Sequence, residues 1–260
     1  MSFLSIYVGT YSIINVTSNC RYITYFKAGR SKQTSVSCNA AVDKSLTMYR
    51  VALFCALLSY AVAKSELSCR QIKEFVDTHN NWRLKLAKGA IPNQPAASEM
   101  KFMIWDEELS AKAAKWASEN VIRHNPDRTV GSNRFGTGEN IFWTASTNLE
   151  YKFEPKSAVD AWFSEYKDYT YGPLQSSNFG PNAKMIGHYT QGAWSDSIYL
   201  GCGISKVYKD GWVNYYVVCN YGPTGNYLGS TPYRANGTAS GHLVCAINDC
   251  SRPYGDKCQT

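Results

Sequence analysis

The chain has little of several features that mark large classes of protein. No run of Lys or Arg follows Lys64, and residues 1–63 carry +5 of the chain's formal charge of +7, which leaves about +2 for the remainder. Nucleic-acid binding needs a concentrated basic patch, so we predict no nucleic-acid partner. No apolar run reaches the roughly 20 residues of a membrane span, so we predict no stable membrane span. The absence of a C-x-x-C pair argues against a structural zinc site.

Residues 48–63 have the pattern of a secretory signal peptide. Met48-Tyr49-Arg50 is a short basic start, an apolar segment follows, and Ala61-Val62-Ala63 fits an A-x-A cleavage site. Because signal peptides begin a protein, we interpret Met48 as the initiator and residues 1–47 as upstream sequence added by a gene-model error. An uncleaved internal anchor is the alternative, which the short apolar segment disfavours. The sequence therefore predicts a secreted, extracellular protein.

The cysteines agree with secretion. The chain has nine, but an even set remains after residue 63, and even sets in secreted chains indicate disulfides. The six are Cys69, Cys202, Cys219, Cys245, Cys250 and Cys258. Asn236-Gly237-Thr238 is an acceptor sequence for N-glycosylation, so we also predict a glycan on Asn236.

One disulfide follows from turn chemistry. Two β-type segments flank Asp210-Gly211, and an Asp-Gly turn of two residues predicts a type I′ hairpin. Its register places Cys202 opposite Cys219 at a non-hydrogen-bonded position, where side chains approach most closely. We therefore predict a Cys202–Cys219 disulfide. Cys69 opens the mature domain, so we expect it to pair with one of the three tail cysteines, and the sequence leaves that partner open.

Three helices are predicted from apolar spacing and capping residues. The first covers about residues 68–88, with His79 on its packed face. Asp106 is an N-cap residue followed by two acids, so it begins the second helix. The third begins near Pro155, because proline is favoured in the first turn.

Three segments, in order along the chain, resemble those of the CAP superfamily, which comprises cysteine-rich secretory proteins, antigen 5 and plant pathogenesis-related proteins. They are H-N-N-W-R at His79–Arg83, G-H-Y-T-Q-G-A-W at Gly187–Trp194 and Y-V-V-C-N-Y-G-P-T-G-N-Y at Tyr216–Tyr227. The resemblance implies an α+β fold, a three-layer α-β-α sandwich with a central antiparallel sheet. It implies a CAP domain at residues 64–232 and a cysteine-containing, hinge-like tail at 233–260.

The resemblance also implies a cavity lined by two His and two Glu. The matching residues are His124 in R-H-N-P, Glu139 in G-E-N, Glu165 in W-x-x-E and His188 in G-H-Y-T-Q. Two imidazoles are suitable zinc ligands, and two carboxylates can hold waters or balance charge. We therefore predict a weak divalent-metal site at His124 and His188, with zinc as its cofactor. Hydrolytic zinc enzymes usually have three protein ligands, which argues against efficient hydrolysis.

For function, the resemblance favours a secreted, non-enzymatic effector of the venom-allergen or antigen 5 type, acting on an extracellular protein. A carrier of sterols or fatty acids is the first alternative and a metal-dependent hydrolase the second. The aromatic-rich segment 166–179 occupies the position of a loop implicated in sterol binding in some members. Its aromatic residues do not have the caveolin-type spacing associated with that activity, so we expect a loop packed on the core. Gly192 occupies a position where the family usually has a bulky aliphatic residue. We therefore predict less apolar cover near His188.

Overall fold

The computed structural model describes residues 66–258 and the backbone of four short strands near the amino terminus. Strand β1 (Ser5–Val8) pairs with β2 (Tyr11–Ile14), and β3 (Cys20–Thr24) pairs with β4 (Thr34–Cys38), both antiparallel. The chain divides into two compact units, residues 1–63 and 64–260. The signal peptide predicted at 48–63 lies outside the described residues, and the interpretation of residues 1–47 stays a prediction.

A four-stranded sheet forms the centre of the second unit. Its strands are β5 (Ile104–Trp105), β6 (Gly138–Ser146), β7 (Tyr199–Lys209) and β8 (Trp212–Gly222), in the order β5-β7-β8-β6. The pairs β6–β8 and β7–β8 are antiparallel, as predicted, whereas β5 runs parallel to β7. The sheet is therefore mixed at one edge, where a two-residue strand leads directly into the next helix.

Within residues 66–258, four α-helices surround the sheet: α1 (Cys69–Ala87), α2 (Glu107–Ala117), α3 (Pro155–Ser164) and α4 (Gly187–Gly192). Short 3-10 turns cover Glu165–Lys167 and Ser176–Phe179. Ser68 and Gln71 form a capping box at the start of α1, and the Asp106 side chain accepts from the Leu109 amide at the start of α2. The three predicted helices are confirmed. No helix among residues 66–258 is long and apolar enough to cross a membrane.

The helices form layers on both faces of the sheet. On one face α1 and α3 pack together, with the Trp82 and Phe163 rings stacked at 5.4 Å. On the other face Ala113 and Ala117 of α2 pack against Val218 of β8. The predicted three-layer α-β-α arrangement is confirmed. Most of the buried apolar side chains belong to the cluster on the face covered by α1 and α3.

The β7–β8 hairpin has the predicted register. Asp210 and Gly211 have φ angles of 51° and 78°, the left-handed conformation that a type I′ turn requires at both positions. Lys209 is opposite Trp212, and Cys202 is opposite Cys219. A disulfide joins Cys202 to Cys219, whose Cα atoms are 4.0 Å apart.

The tail packs along the domain. Two further disulfides join Cys69 to Cys258 and Cys245 to Cys250. Main-chain hydrogen bonds run from Phe102 N to Val244 O (2.8 Å) and from Trp105 N to Pro253 O (2.7 Å). The segment at β5 is therefore covered by the tail, and the Cys69–Cys258 bond links the start of α1 to the end of the described chain.

Candidate functional site

His124 and Glu139 form the first of two histidine–carboxylate pairs. His124 lies in the loop after α2, and Glu139 is the second residue of β6. Nδ1 of His124 is 2.8 Å from Oε1 of Glu139. The same oxygen accepts from the Asn125 amide at 2.9 Å, and Oε2 accepts from Asn220 Nδ2 at 3.3 Å. The Glu139 side chain is only 1% exposed, whereas that of His124 is 51% exposed, so a buried carboxylate holds a ring that reaches solvent.

His188 and Glu165 form the second pair. Glu165 follows the last residue of α3, and His188 is in the first turn of α4. Nδ1 of His188 is 2.7 Å from Oε1 of Glu165. Oε2 accepts from the main-chain amides of His188 (3.0 Å) and Tyr189 (3.1 Å). One carboxylate therefore orients the ring and also satisfies amides at the start of α4 that have no partner within the helix.

The carboxylates determine the tautomer of both rings. An ionised carboxylate only accepts hydrogen bonds, so Nδ1 of each imidazole carries the proton and donates it. The lone pair is then on Nε2, the nitrogen that remains for a ligand. Histidines that bind metals usually donate their other ring nitrogen to a carboxylate or carbonyl in this way. The two pairs thus have the chemistry of metal-binding histidines and their supporting carboxylates.

One cavity of about 230 Å³ brings three of the four predicted residues together. Its lining consists of His124, Glu139, Asn140, Asn178, Phe179, Gly180, Ala183, Lys184, Met185, Ile186, Gly187, His188 and Asn226. Glu165 is not among them, because it lies behind His188 and supports it. The cavity is therefore lined by two imidazoles and one carboxylate, together with three amide side chains, one lysine and several apolar side chains.

Three asparagines in this lining are absent from the predicted site. Asn140 is the last residue of the G-E-N motif, and Asn226 lies in the matched segment Tyr216–Tyr227. Both could therefore have been predicted from the motifs. Asn226 donates from Nδ2 to Gly187 O at 2.9 Å, while its buried Oδ1 has no hydrogen-bond partner. Asn178 lies in a 3-10 turn whose approach to the cavity is a tertiary effect.

A metal ion at this site would have few protein ligands. Within residues 66–258 no group of three or more His, Cys, Asp and Glu side chains is arranged to hold a metal ion. The residues fit a site with two imidazole ligands, because each Nδ1 is already bonded to a carboxylate. Water would have to fill the other coordination positions of a bound zinc ion.

Below the site, His79 and Arg83 of α1 are fully buried. Burial lowers the pKa of His79 to about 4 and that of Arg83 to about 9. Arg83 donates to four main-chain carbonyls, including those of Gly192 and Trp194 at 3.0 and 2.8 Å. Arg83 therefore holds the region around α4 in place. His79 is bonded to Phe75 O and to the Tyr221 hydroxyl within the core, which agrees with a structural role for His79.

The remaining expectations concern Gly192 and the aromatic loop. A Cβ on Gly192 would lie 2.9 Å from the Phe163 ring, so that ring supplies the apolar cover that a larger residue would provide. In the loop, Tyr169 and Leu174 are buried and the Tyr171 ring packs on Tyr233 at 5.0 Å. Phe179, which is 46% exposed, lines the cavity. The aromatic rings of Tyr166, Tyr169 and Tyr171 thus pack on the core, as expected, whereas most of the other residues of the loop are exposed.

Known proteins resemble this chain in sequence and in fold. Residues 76–221, more than half of the chain, match the family model described as CAP: Cysteine-rich secretory protein family. Venom allergen 5 of Rhynchium brunneum is 38% identical over 167 residues, which cover 62% of this chain and 71% of that protein. Venom allergen 5 of Vespula maculifrons is 34% identical over 183 residues, which cover 68% and 84%.

Two solved structures extend the comparison. NaASP2, crystallised with Zn²⁺, superposes with a TM-score of 0.58 at 28% identity, covering 69% of this chain and 98% of that one. Venom allergen-like protein 4 of Schistosoma mansoni gives a TM-score of 0.52 at 26% identity, covering 66% and 97%. With its fold, its paired histidines and its matched segments, the chain belongs to the CAP family of cysteine-rich secretory proteins.

Proposed function

We propose that this protein is a secreted, venom-allergen-like effector that acts on an extracellular partner protein without enzymatic turnover, and that its cavity binds a divalent cation such as zinc. The observation that carries the metal proposal is the pair of imidazoles at one cavity, each with Nδ1 bonded to a carboxylate. The zinc in the NaASP2 crystals supports it from a relative of the same fold. His124 and His188 are the proposed ligands, while Glu139 and Glu165 orient them.

The lining of the cavity favours a binding role over hydrolysis. Among the described residues that line it, none is Ser, Thr or Cys, so no hydroxyl or thiol nucleophile stands beside the histidines. A bound zinc ion could polarise water, but only two protein ligands would hold it. Turnover of an ester, peptide or lipid substrate that was lost in His124→Ala would support the hydrolase alternative.

The lipid-carrier alternative has less support. The aromatic loop that would serve a sterol has its largest side chains packed against α4 and the tail, with Tyr169 and Tyr189 rings 5.7 Å apart. Saturable binding of cholesterol or a fatty acid by the purified protein would favour the carrier over the effector.

Isothermal titration with zinc tests the metal proposal. His124→Ala and His188→Ala should each remove most of the binding, because one imidazole is a poor site, and Glu139→Gln should weaken it less. His242→Ala is the matched control, since His242 is exposed in the tail, and it should bind zinc like the wild type. Equal zinc binding by the wild type and the double mutant of His124 and His188 would refute the site.

Secretion has its own test. Expressed from Met48 in a eukaryotic secretion host, the protein should leave the cell with Lys64 at its amino terminus. Asn236 is exposed, so the secreted protein should carry a glycan there that a glycosidase removes. Native material that retained residues before Met48 would contradict the interpretation of residues 1–47.

A further inference from the structure

A chain of buried side-chain hydrogen bonds connects the core of α1 to the main chain of His188. Nδ1 of His79 is 2.7 Å from Phe75 O, and its Nε2 is 2.9 Å from the Tyr221 hydroxyl. Nδ2 of Asn140 is 3.0 Å from the same hydroxyl and 3.0 Å from His188 O. His79, Tyr221 and Asn140 come from α1, β8 and β6, and each is at most 1% exposed.

The carbonyl oxygens of Phe75 and His188, at the two ends of this series of hydrogen bonds, determine the direction of every bond in it. Phe75 O only accepts, so Nδ1 of His79 carries the proton, and in the neutral ring Nε2 accepts. Burial lowers the pKa of His79 to about 4, which keeps the ring neutral near pH 7. The Tyr221 hydroxyl must therefore donate to His79, and its oxygen accepts from Asn140. The second Asn140 N–H then donates to His188 O, which also only accepts.

His188 is consequently held from three sides. Glu165 accepts from its main-chain amide and from its Nδ1, Asn140 donates to its carbonyl oxygen, and the Trp162 ring stacks on its imidazole at 6.2 Å. Glu165 fixes the ring through Nδ1, and Asn140 fixes the peptide that carries it. Together they set where Nε2 points.

We propose that His79, Tyr221 and Asn140 form a positioning relay that holds His188 in its metal-binding orientation. The proposal rests on the zinc-binding function inferred for the cavity. In this proposal the three residues position His188 and do not contact the metal. A fixed order of donors and acceptors suits this role, because a buried polar group that loses its hydrogen-bond partner destabilises the folded protein.

The test uses Tyr221→Phe, which removes the hydroxyl and leaves the ring, and Asn140→Asp, which removes both donors. Supporting groups around a metal-binding histidine typically contribute about 10- to 100-fold in metal affinity. We therefore expect zinc affinity to fall about 10-fold in Tyr221→Phe and further in Asn140→Asp. Tyr215→Phe is the matched control, because it removes another buried tyrosine hydroxyl of β8, which donates to Tyr151 O at 2.8 Å.

A second readout separates positioning from general stability. With four histidines in the chain, ¹⁵N-edited NMR resolves the His188 ring in the metal-free protein. The wild type and Tyr215→Phe should show one sharp Nδ1–H tautomer. Tyr221→Phe should broaden or split the His188 signals while His124 keeps its own.

The outcomes distinguish the relay from the function on which it rests. Wild-type zinc affinity and an unchanged His188 spectrum in Tyr221→Phe would overturn the relay, as would an equal loss of zinc affinity in Tyr215→Phe. If the wild type binds no zinc, the metal function fails, and the metal-free His188 spectra alone then decide the relay. If Asn140→Asp does not fold, Tyr221→Phe carries the test.

Discussion

His79 illustrates how one buried residue makes the stability of the protein depend on pH. Its ring is fully buried, and desolvation is the main reason that its pKa is lowered from 6.5 to about 4. Between these two values the unfolded chain binds a proton that the folded protein does not. The free energy of unfolding should therefore decrease as the pH falls from about 6.5 to about 4.

The expected loss from His79 over this range is about 3 kcal/mol, since each pKa unit corresponds to about 1.4 kcal/mol. Urea unfolding at a series of pH values measures it, with His79→Gln as the variant that lacks the titrating group. The pKa of Glu108 is lowered to about 2 by hydrogen bonds from Ser132, so its contribution is lost only below about pH 4.5. Parallel pH profiles for the wild type and His79→Gln would contradict this assignment.

The family motifs identified the candidate site residues but not the hydrogen-bond partners of those residues. The motifs singled out His124, Glu139, Glu165 and His188 in the sequence. That each carboxylate bonds Nδ1 of one particular histidine depends on how β6, α3 and α4 pack, which no local pattern contains. The contribution of Asn140 was also hidden, because its partners come from β8 and α4.

Among the elements, those determined by local chemistry were the predictable ones. The Asp-Gly turn fixed the hairpin register, and Ser68 and Asp106 marked two helix starts. Strand β5 has only two residues and pairs with a strand about 95 positions later along the chain, so neither its existence nor its parallel direction could be read from a pattern.

The contact between α2 and the sheet depends on two glycines of β7. A Cβ on Gly203 would lie 2.3 Å from the Ala114 main chain, and one on Gly201 would lie 2.1 Å from Ser110 N. Gly203→Ala should therefore displace the helix and lower the free energy of unfolding by about 2 kcal/mol, within the usual cost of overpacking.

Gly136→Ala is the control for this substitution. The nearest atom to a Cβ on Gly136 is 3.8 Å away, so its effect should stay within about 0.5 kcal/mol. Urea unfolding of both variants gives the comparison. An equal loss in the two would show that close helix–sheet packing is not the cause.

For the whole molecule, the Cys69–Cys258 disulfide closes the longest loop in the described chain. Its cysteines are 189 residues apart, against 17 for Cys202–Cys219 and 5 for Cys245–Cys250. Because a longer closed loop restricts the unfolded chain more, paired Cys→Ser variants should lose about 5, 3 and 2 kcal/mol in that order. Urea unfolding of the three double variants measures the ranking, and a Cys69–Cys258 variant as stable as the wild type would refute it.

The domain as a whole brings His124, Glu139 and His188 to one cavity, where we propose that the two histidines coordinate one metal ion together. Anomalous diffraction at the zinc edge from zinc-soaked crystals tests it most directly. We predict one peak about 2.0–2.1 Å from Nε2 of both His124 and His188, the usual zinc–nitrogen distance, with Nδ1 of each ring still bonded to its carboxylate. Zinc bound by only one of the two histidines, or only elsewhere on the protein, would show that His124 and His188 do not coordinate it together.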